Sequence, residues 1–285
     1  MLPAALPVHA AQRGVTDDRG TTLVLDSPAA RIVSLSPHLT ELAYAAGAGD
    51  KLVAVARYSD YPPAARSLPQ VGDASLVDRE RVLALEPDLV LAWKSGNSPA
   101  DVASLERLGL HVHVSEAARL DDVPRLLRAI GELAGTAQTA ERRAAEFERE
   151  IGRLRERYAA RPPLRVFYQI WDRPLLTVNG KHIISDVLSL CGGVNVFARA
   201  ALLTPSVSLE ALLAAHPDVI VGGSSASSPE ELAAQWRMQP VAALGRLPVI
   251  AVPPDLIQRQ TPRLAEGAAL ICRRLEEARH GAVTR

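Results

Sequence analysis

Four of the eight tryptophan and tyrosine residues in this chain, Tyr58, Tyr61, Trp93 and Trp171, stand where predicted strands run out into loops. Aromatic residues make up only 4% of the sequence, so filling a core does not explain that placement. Such rings offer broad apolar faces to an extended, partly apolar ligand. Asn97, Asp255 and Arg259, on the same set of loops, supply hydrogen-bonding groups for its polar fringe. Catalytic chemistry is missing from these loops, which hold no Gly-x-Ser-x-Gly, no phosphate loop with its lysine, no Gly-x-Gly-x-x-Gly and no His-Glu-x-x-His. No nucleophile has an adjacent base there, so the chain reads as a binder and not an enzyme, with no catalytic cofactor. His111 and His113 are expected on one face of a strand, where they either share a metal or are a detail of that strand. His38 and His182 are alternative ligands for a metal-centred cofactor, and no metal site is assigned.

A duplication must position these groups. The run Glu80-Arg81-Val82-Leu83-Ala84-Leu85-Glu86-Pro87-Asp88 returns 130 positions later as Glu210-Ala211-Leu212-Leu213-Ala214-Ala215-His216-Pro217-Asp218. Upstream, Thr40-Glu41-Leu42 is echoed by Ser185-Asp186-Val187 at a shift of 145, so the second copy is about fifteen residues shorter between its helices. Solenoid repeats have periods of roughly 20 to 50 residues. A longer period points to two similar α/β lobes with a ligand cleft between them.

Hydrophobic patterning supplies the elements. In the first lobe, strands are expected at 31–36, 51–56, 89–93 and 111–114, with helices at 40–46, 78–85 and 100–108. Between 139 and 158 Phe147, Ile151, Leu154 and Tyr158 recur at helical spacing among charges of both signs, which predicts one long, mostly exposed helix. Pro162 and Pro163 end it. The second lobe has strands at 165–170, 218–222 and 248–252, and helices at 183–191, 208–215, 229–236 and 262–278. Gly222-Gly223-Ser224-Ser225 reads as a cleft-lining turn. The expected division is a leader and N-terminal segment over 1–29, a first lobe over 30–135, a connecting helix over 136–161 and a second lobe over 162–285.

With 32 basic and 32 acidic residues the chain is formally neutral, which gives no electrostatic footprint for nucleic acid or an anionic membrane. No apolar run approaches the roughly 20 residues of a membrane span. The small-residue spacing Val8-x-Ala10 suits signal peptidase and is read as the tail of an export signal, a frayed terminus being the alternative. With export, Cys191 and Cys272 are read as a disulfide, the alternative being two buried thiols.

The segments from Arg31 to Pro37, Tyr58 to Pro63, Glu80 to Asp88 and Leu91 to Trp93, with Gly96-Asn97, Cys191-Gly192-Gly193 and Pro262-Arg263, resemble the periplasmic cobalamin-binding proteins of bacterial vitamin importers. The likeness runs from about residue 30 to 275. It implies the class III fold of substrate-binding proteins, two lobes joined by one rigid helix, in a monomeric periplasmic receptor that captures a corrinoid, foremost cobalamin (vitamin B12). The implied partner is an ABC permease dimer with its cytoplasmic ATPase. By the same resemblance Tyr58 and Trp93 contact the corrin from one lobe and Asp255, Leu256, Ile257, Gln258 and Arg259 from the other, while Trp171, outside the family pattern, is expected to supply a further ring. Glu80 and Glu210 are implied to dock on permease arginines, and Cys191 and Cys272 match the family's disulfide positions. The chain departs from the pattern at Ala74 and Thr204, where the family has tryptophans, and at Leu256-Ile257, where it has Trp-Phe. The same fold holding haem or a ferric siderophore is the alternative, and a two-lobed α/β enzyme is a more distant one.

Overall fold

The short apolar runs at the start of each repeat form strands because both of their faces are covered, as a parallel sheet requires. A computed structural model describes residues 13–73, 75–222 and 229–283. An antiparallel hairpin of β1 (Arg13–Thr16) and β2 (Thr22–Leu25) comes first. Then follow β3 (Ile32–Ser34), α1 (Pro37–Ala45), β4 (Leu52–Val55), α2 (Arg79–Ala84), β5 (Leu89–Trp93), α3 (Pro99–Arg107) and β6 (Val112–Ser115). Helices α4 (Asp122–Ala134) and α5 (Ala137–Tyr158) lead to β7 (Leu164–Gln169), α6 (Ile183–Leu190), β8 (Gly193–Asn195), α7 (Leu209–Ala214) and β9 (Val219–Gly222). The chain ends with α8 (Pro229–Arg237), α9 (Ala242–Gly245), β10 (Val249–Ala251), α10 (Pro254–Ile257) and α11 (Leu264–Val283).

Two four-stranded sheets, ordered β4-β3-β5-β6 and β10-β9-β7-β8, are parallel throughout. Counting strands within each sheet, both follow the order 2-1-3-4, so the repeat read in the sequence is a repeat of topology. One compact unit takes the described residues up to Glu116 with Pro124–Ala144, and the other takes Ala117–Val123 with the described residues from Ala145 onward. The long helix is thus shared between units, dividing after Ala144. The expected leader at 1–11, Ala74 and the turn residues Gly223, Ser224 and Ser225 lie outside the described residues.

Each unit has its own core. Val33, Leu35, Val90, Ala92, Val112 and Val114 pack with Val82 and Leu105 in the first. Phe167, Ile220, Leu212, Leu232, Trp236 and Leu244 pack together in the second, where Phe167 meets Phe197 and Trp236 edge-on with ring centroids 5.9 Å apart.

The echoed run has a physical explanation. Asp78 and Ser208 cap α2 and α7, their side chains accepting from the backbone N–H of Arg81 and Ala211. Glu86 and His216 then take left-handed backbone angles, φ 45° and 42°, which end the helices and precede buried prolines at 87 and 217. Asp88 follows, accepting from the backbone N–H groups of Ala30 (2.8 Å) and Arg31 (3.0 Å) with its carboxylate. Asp218 accepts from the N–H of Arg165 at 2.7 Å. Arg31 in turn donates to the carbonyls of Leu85 and Glu86, and Arg165 to those of Ala215 and His216. One arginine and one aspartate therefore join the end of a helix to the starts of two adjacent strands, once in each unit.

The Cys191–Cys272 disulfide is formed, tying the end of α6 to α11 with the Cα atoms 4.6 Å apart. Closing a loop with a sequence separation of 81 contributes between about 4 and 5 kcal/mol in the chain-entropy view. Arg279 secures the same corner, donating to the carbonyls of Pro162, Cys191 and Gly192 at 2.8–3.1 Å.

Removing the aspartate of either clamp exposes its consequence. Asp88→Ala and Asp218→Ala should each lower the unfolding free energy by about 1–3 kcal/mol. The Asp88 change should be larger, because two backbone donors lose their acceptor where Asp218 serves one. Chemical denaturation of the two variants beside the parent measures this, and equal stabilities would remove the clamp from the account.

Candidate functional site

In an open parallel sheet, ligands sit beyond the carboxyl ends of the strands, at the crevice where strand order reverses. In the first unit that crevice lies between β3 and β5. Their ends deliver Ser34, Leu35 and Ser36 on one side and Trp93 to Asn97 on the other. Asn97 bridges them: Oδ1 accepts from the N–H of Trp93 at 2.7 Å and Nδ2 donates to the carbonyl of Leu35 at 3.1 Å. Asn97 is 4% exposed, so it builds the crevice from inside, where the sequence suggests a direct ligand contact. His38 is also buried, its Nδ1 3.0 Å from the Ser36 hydroxyl and its ring edge-on to Trp93 at 5.1 Å.

Tyr58 leaves β4 in the left-handed region at φ 68°, which is rare for a bulky side chain. The residue is 68% exposed. Residues held in this region cluster at active sites and ligand clamps. A buried hydroxyl chain ties its turn to β3: Ser59 and Thr40 hydroxyls lie 3.0 Å apart, and Thr40 donates to Ser34 at 3.0 Å. Tyr61, also exposed, follows in the same loop.

In the second unit Trp171 is 57% exposed, held by an isolated bridge to Leu176 and by an indole N–H bond to the carbonyl of Arg173 at 3.1 Å. The neighbouring Asp172 and Arg173, with Gln169, Leu175, Ser208, Trp236 and Met238 among others, line an open pocket of about 530 Å³. The segment around α10 lies elsewhere in that unit and does not line it. There Arg259 pairs with Asp255 at 3.1 Å, while Leu256 and Gln258 are half-buried. Gln258 lies beside the hydroxyl of Tyr168, whose pKa burial pushes up. Gly267 of α11 presses against this turn so closely that a Cβ on it would stand 2.3 Å from the carbonyl oxygen of Leu256. Ile257 does not meet the expectation of a ligand contact: at 0% exposure it is the apolar anchor of this short helix. Thr204 is exposed.

The histidine pair differs in burial. His111 precedes β6 and is exposed, with Nδ1 3.3 Å from the carbonyl oxygen of Asp88, whereas His113 is buried and its pKa is lowered by desolvation. His182 is the N-cap of α6, its Nδ1 accepting from the N–H of Ile184 at 3.2 Å. Among the described residues no group of three or more His, Cys, Asp or Glu side chains is placed to hold a metal ion, and no helix is long and apolar enough to cross a membrane.

Glu80 and Glu210 are exposed at matching positions in the first turns of α2 and α7. The Glu210 carboxyl is held below its usual pKa by its own backbone N–H and by the Ser208 hydroxyl. Negative charge there also suits the positive end of the helix.

Sequence reasoning overlooks Glu116. Both of its carboxylate oxygens face the Trp93 loop, accepting from the indole N–H at 3.3 Å and from the N–H of Ser95 at 3.0 Å. The signal was available, because Glu116 immediately follows the fourth strand of the sheet, whose carboxyl end belongs with the other three.

Residues 32–256 match the family described as periplasmic binding protein. The chain belongs to that family. It is 38% identical over 251 residues to the vitamin B12-binding protein of Vibrio cholerae, covering 88% of this chain and 91% of the relative. The crystal structure of the Vibrio cholerae periplasmic vitamin B12 binding protein BtuF matches with a TM-score of 0.81 at 38% identity, over 88% of this chain and 98% of that one. The periplasmic heme-binding protein RhuT from Roseiflexus sp. RS-1 has a TM-score of 0.74 at 24% identity, over 87% and 98%, a likeness of fold alone.

The cap at His182 carries a pH dependence. Burial lowers its pKa to about 4, so the folded protein favours the neutral ring. Its contribution is fully present above an unfolded value of about 6.5 and is lost as pH falls toward 4, since the unfolded chain binds the proton more readily. His182→Asn keeps a capping acceptor without a titrating ring. Between pH 6.5 and 4 the parent should lose on the order of 2–3 kcal/mol more stability than this variant. Parallel pH–stability curves would contradict the assignment.

Proposed function

We propose that the chain is an extracytoplasmic receptor that captures a corrinoid, cobalamin foremost, and delivers it to an ATP-driven importer without altering it. The observation that carries this reading is the 38% identity with a vitamin B12-binding protein, sustained over 88% of the chain. The strained, exposed Tyr58 and the indole of Trp93 are the proposed ring contacts of the first unit. Trp171, Leu256 and the polar groups of Asp255, Gln258 and Arg259 are those of the second. Aromatic and apolar faces suit the macrocycle, and paired polar groups suit its amide fringe.

The departures set an expectation for affinity. A leucine at 256 offers less flat surface than an indole, and each lost ring removes about 1–3 kcal/mol of apolar contact. Ile257 in the core adds none of this back. The receptor should therefore bind cobalamin less tightly than a relative that keeps those rings.

Glu80 and Glu210 are proposed to meet basic side chains of a permease dimer. Their support is positional, since each is an exposed carboxylate in the first turn of the repeated helix. A family described as periplasmic and a formed disulfide both fit an oxidising compartment outside the cytoplasm. Residues 1–11 are proposed to belong to an export signal.

Calorimetric titration with cyanocobalamin, cobinamide and haemin tests the reading. Saturable one-to-one binding of a corrinoid, recovered unchanged by its absorption spectrum, is expected. Haemin binding with neither corrinoid taken up would replace the proposal with a haem receptor, and no saturable binding of any of the three would end it.

A further inference from the structure

We infer that Glu116 is a positioning residue for Trp93: its carboxylate holds the indole in one orientation, so that the ring meets a ligand by its apolar surface and not by its N–H. The inference rests on the corrinoid reading above, in which Trp93 is a ring contact.

The geometry begins at the sheet. Trp93 ends β5 opposite Ser115 of β6, which places Glu116 one residue beyond the pair. Its Oε1 accepts from the indole Nε1–H at 3.3 Å and its Oε2 from the N–H of Ser95 at 3.0 Å, so one carboxylate fixes both the ring and the loop that carries it. A carboxylate acceptor makes such bonds stronger than a neutral one does.

Glu116 is itself anchored. Its backbone N–H donates to Asp18 Oδ2 at 2.7 Å, and its carbonyl accepts from Arg125 Nη2 at 3.0 Å. Arg125 also pairs with Asp18 at 3.1 Å, and Lys94 Nζ donates to the Asp18 carbonyl at 2.7 Å. The turn between β1 and β2 thus serves as a backstop for the Trp93 loop. On the ring itself, His38 makes its edge-on contact, and the backbone of Gly96 lies so close that a Cβ there would stand 1.8 Å from Cε3.

An indole held on these sides has little rotamer freedom left to lose when a ligand arrives, and pre-organisation of this kind raises affinity by lowering the ordering cost. With its only donor occupied by Glu116, Trp93 has no hydrogen bond to offer a ligand.

Four variants and two readouts test this. In ¹H–¹⁵N spectra, Glu116→Ala should move the Trp93 indole N–H upfield while the other two indole signals stay in place. The same variant should weaken cyanocobalamin binding about three- to tenfold. Glu116→Gln, which keeps an acceptor oxygen for the indole, should restore the signal and most of the affinity. In a Trp93→Ala background, Glu116→Ala should cost nothing further. An unmoved Trp93 signal with unchanged affinity overturns the inference, and so does an equal loss in the Trp93→Ala background, which would mean that Glu116 acts by another route. Trp93→Ala that binds cyanocobalamin as tightly as the parent would instead remove Trp93 from the site, and the positioning role with it.

Discussion

An arginine and an aspartate, used twice, are the constraint on which the rest of this structure depends. In each unit the aspartate carboxylate accepts from the backbone where one strand begins, and the arginine guanidinium takes the last carbonyls of the helix before its neighbour. Helix end and strand starts are thereby fixed to one another at the amino edge of the sheet. A strand rises about 3.3 Å per residue with little freedom to slip when both faces are buried. Fixing the starts of β3 and β5 therefore also fixes where their other ends emerge, and those ends carry Ser36 and Trp93.

Much of this was legible in the sequence for the same reason. Capping residues at 78 and 208, a leucine or valine at the helical core position, and Pro-Asp after the helix each have a local physical cause, so the pattern survives in both copies. The long helix was legible from the spacing of Phe147, Ile151, Leu154 and Tyr158, and the disulfide from the only two cysteines. Elements whose causes are not local escaped. Strand β8 has three residues and exists because β7 offers it a parallel edge. The β1–β2 hairpin, with four residues in each strand, is too short to signal itself. Helix α4 contains Pro124, which reads as a breaker but sits in the first turn, where its missing N–H has no partner to lose.

The site was less legible than the fold, because sequence reveals the type of a side chain more readily than its direction. Asn97 was visible as a polar residue beyond a strand, yet it points inward and joins two strand ends. Ile257 was visible as the partner of Leu256, yet only one of the two keeps any exposure. His111 and His113 differ by two positions, yet one is exposed just before the strand and the other is buried. Tyr58, Trp93 and Trp171 stand at strand ends as expected, each fixed by neighbours the sequence did not name.

If the proposed corrinoid reading holds, a chain so poor in aromatic residues depends on the orientation of each ring more than on their number. Fluorine NMR of protein labelled with 5-fluorotryptophan reads that orientation directly, because a macrocycle stacked on an indole shifts its fluorine strongly. Saturating cyanocobalamin should displace the Trp93 resonance and leave that of Trp236, 3% exposed in its core, where it was. A Trp93 resonance that stays put while cyanocobalamin is bound would contradict the account.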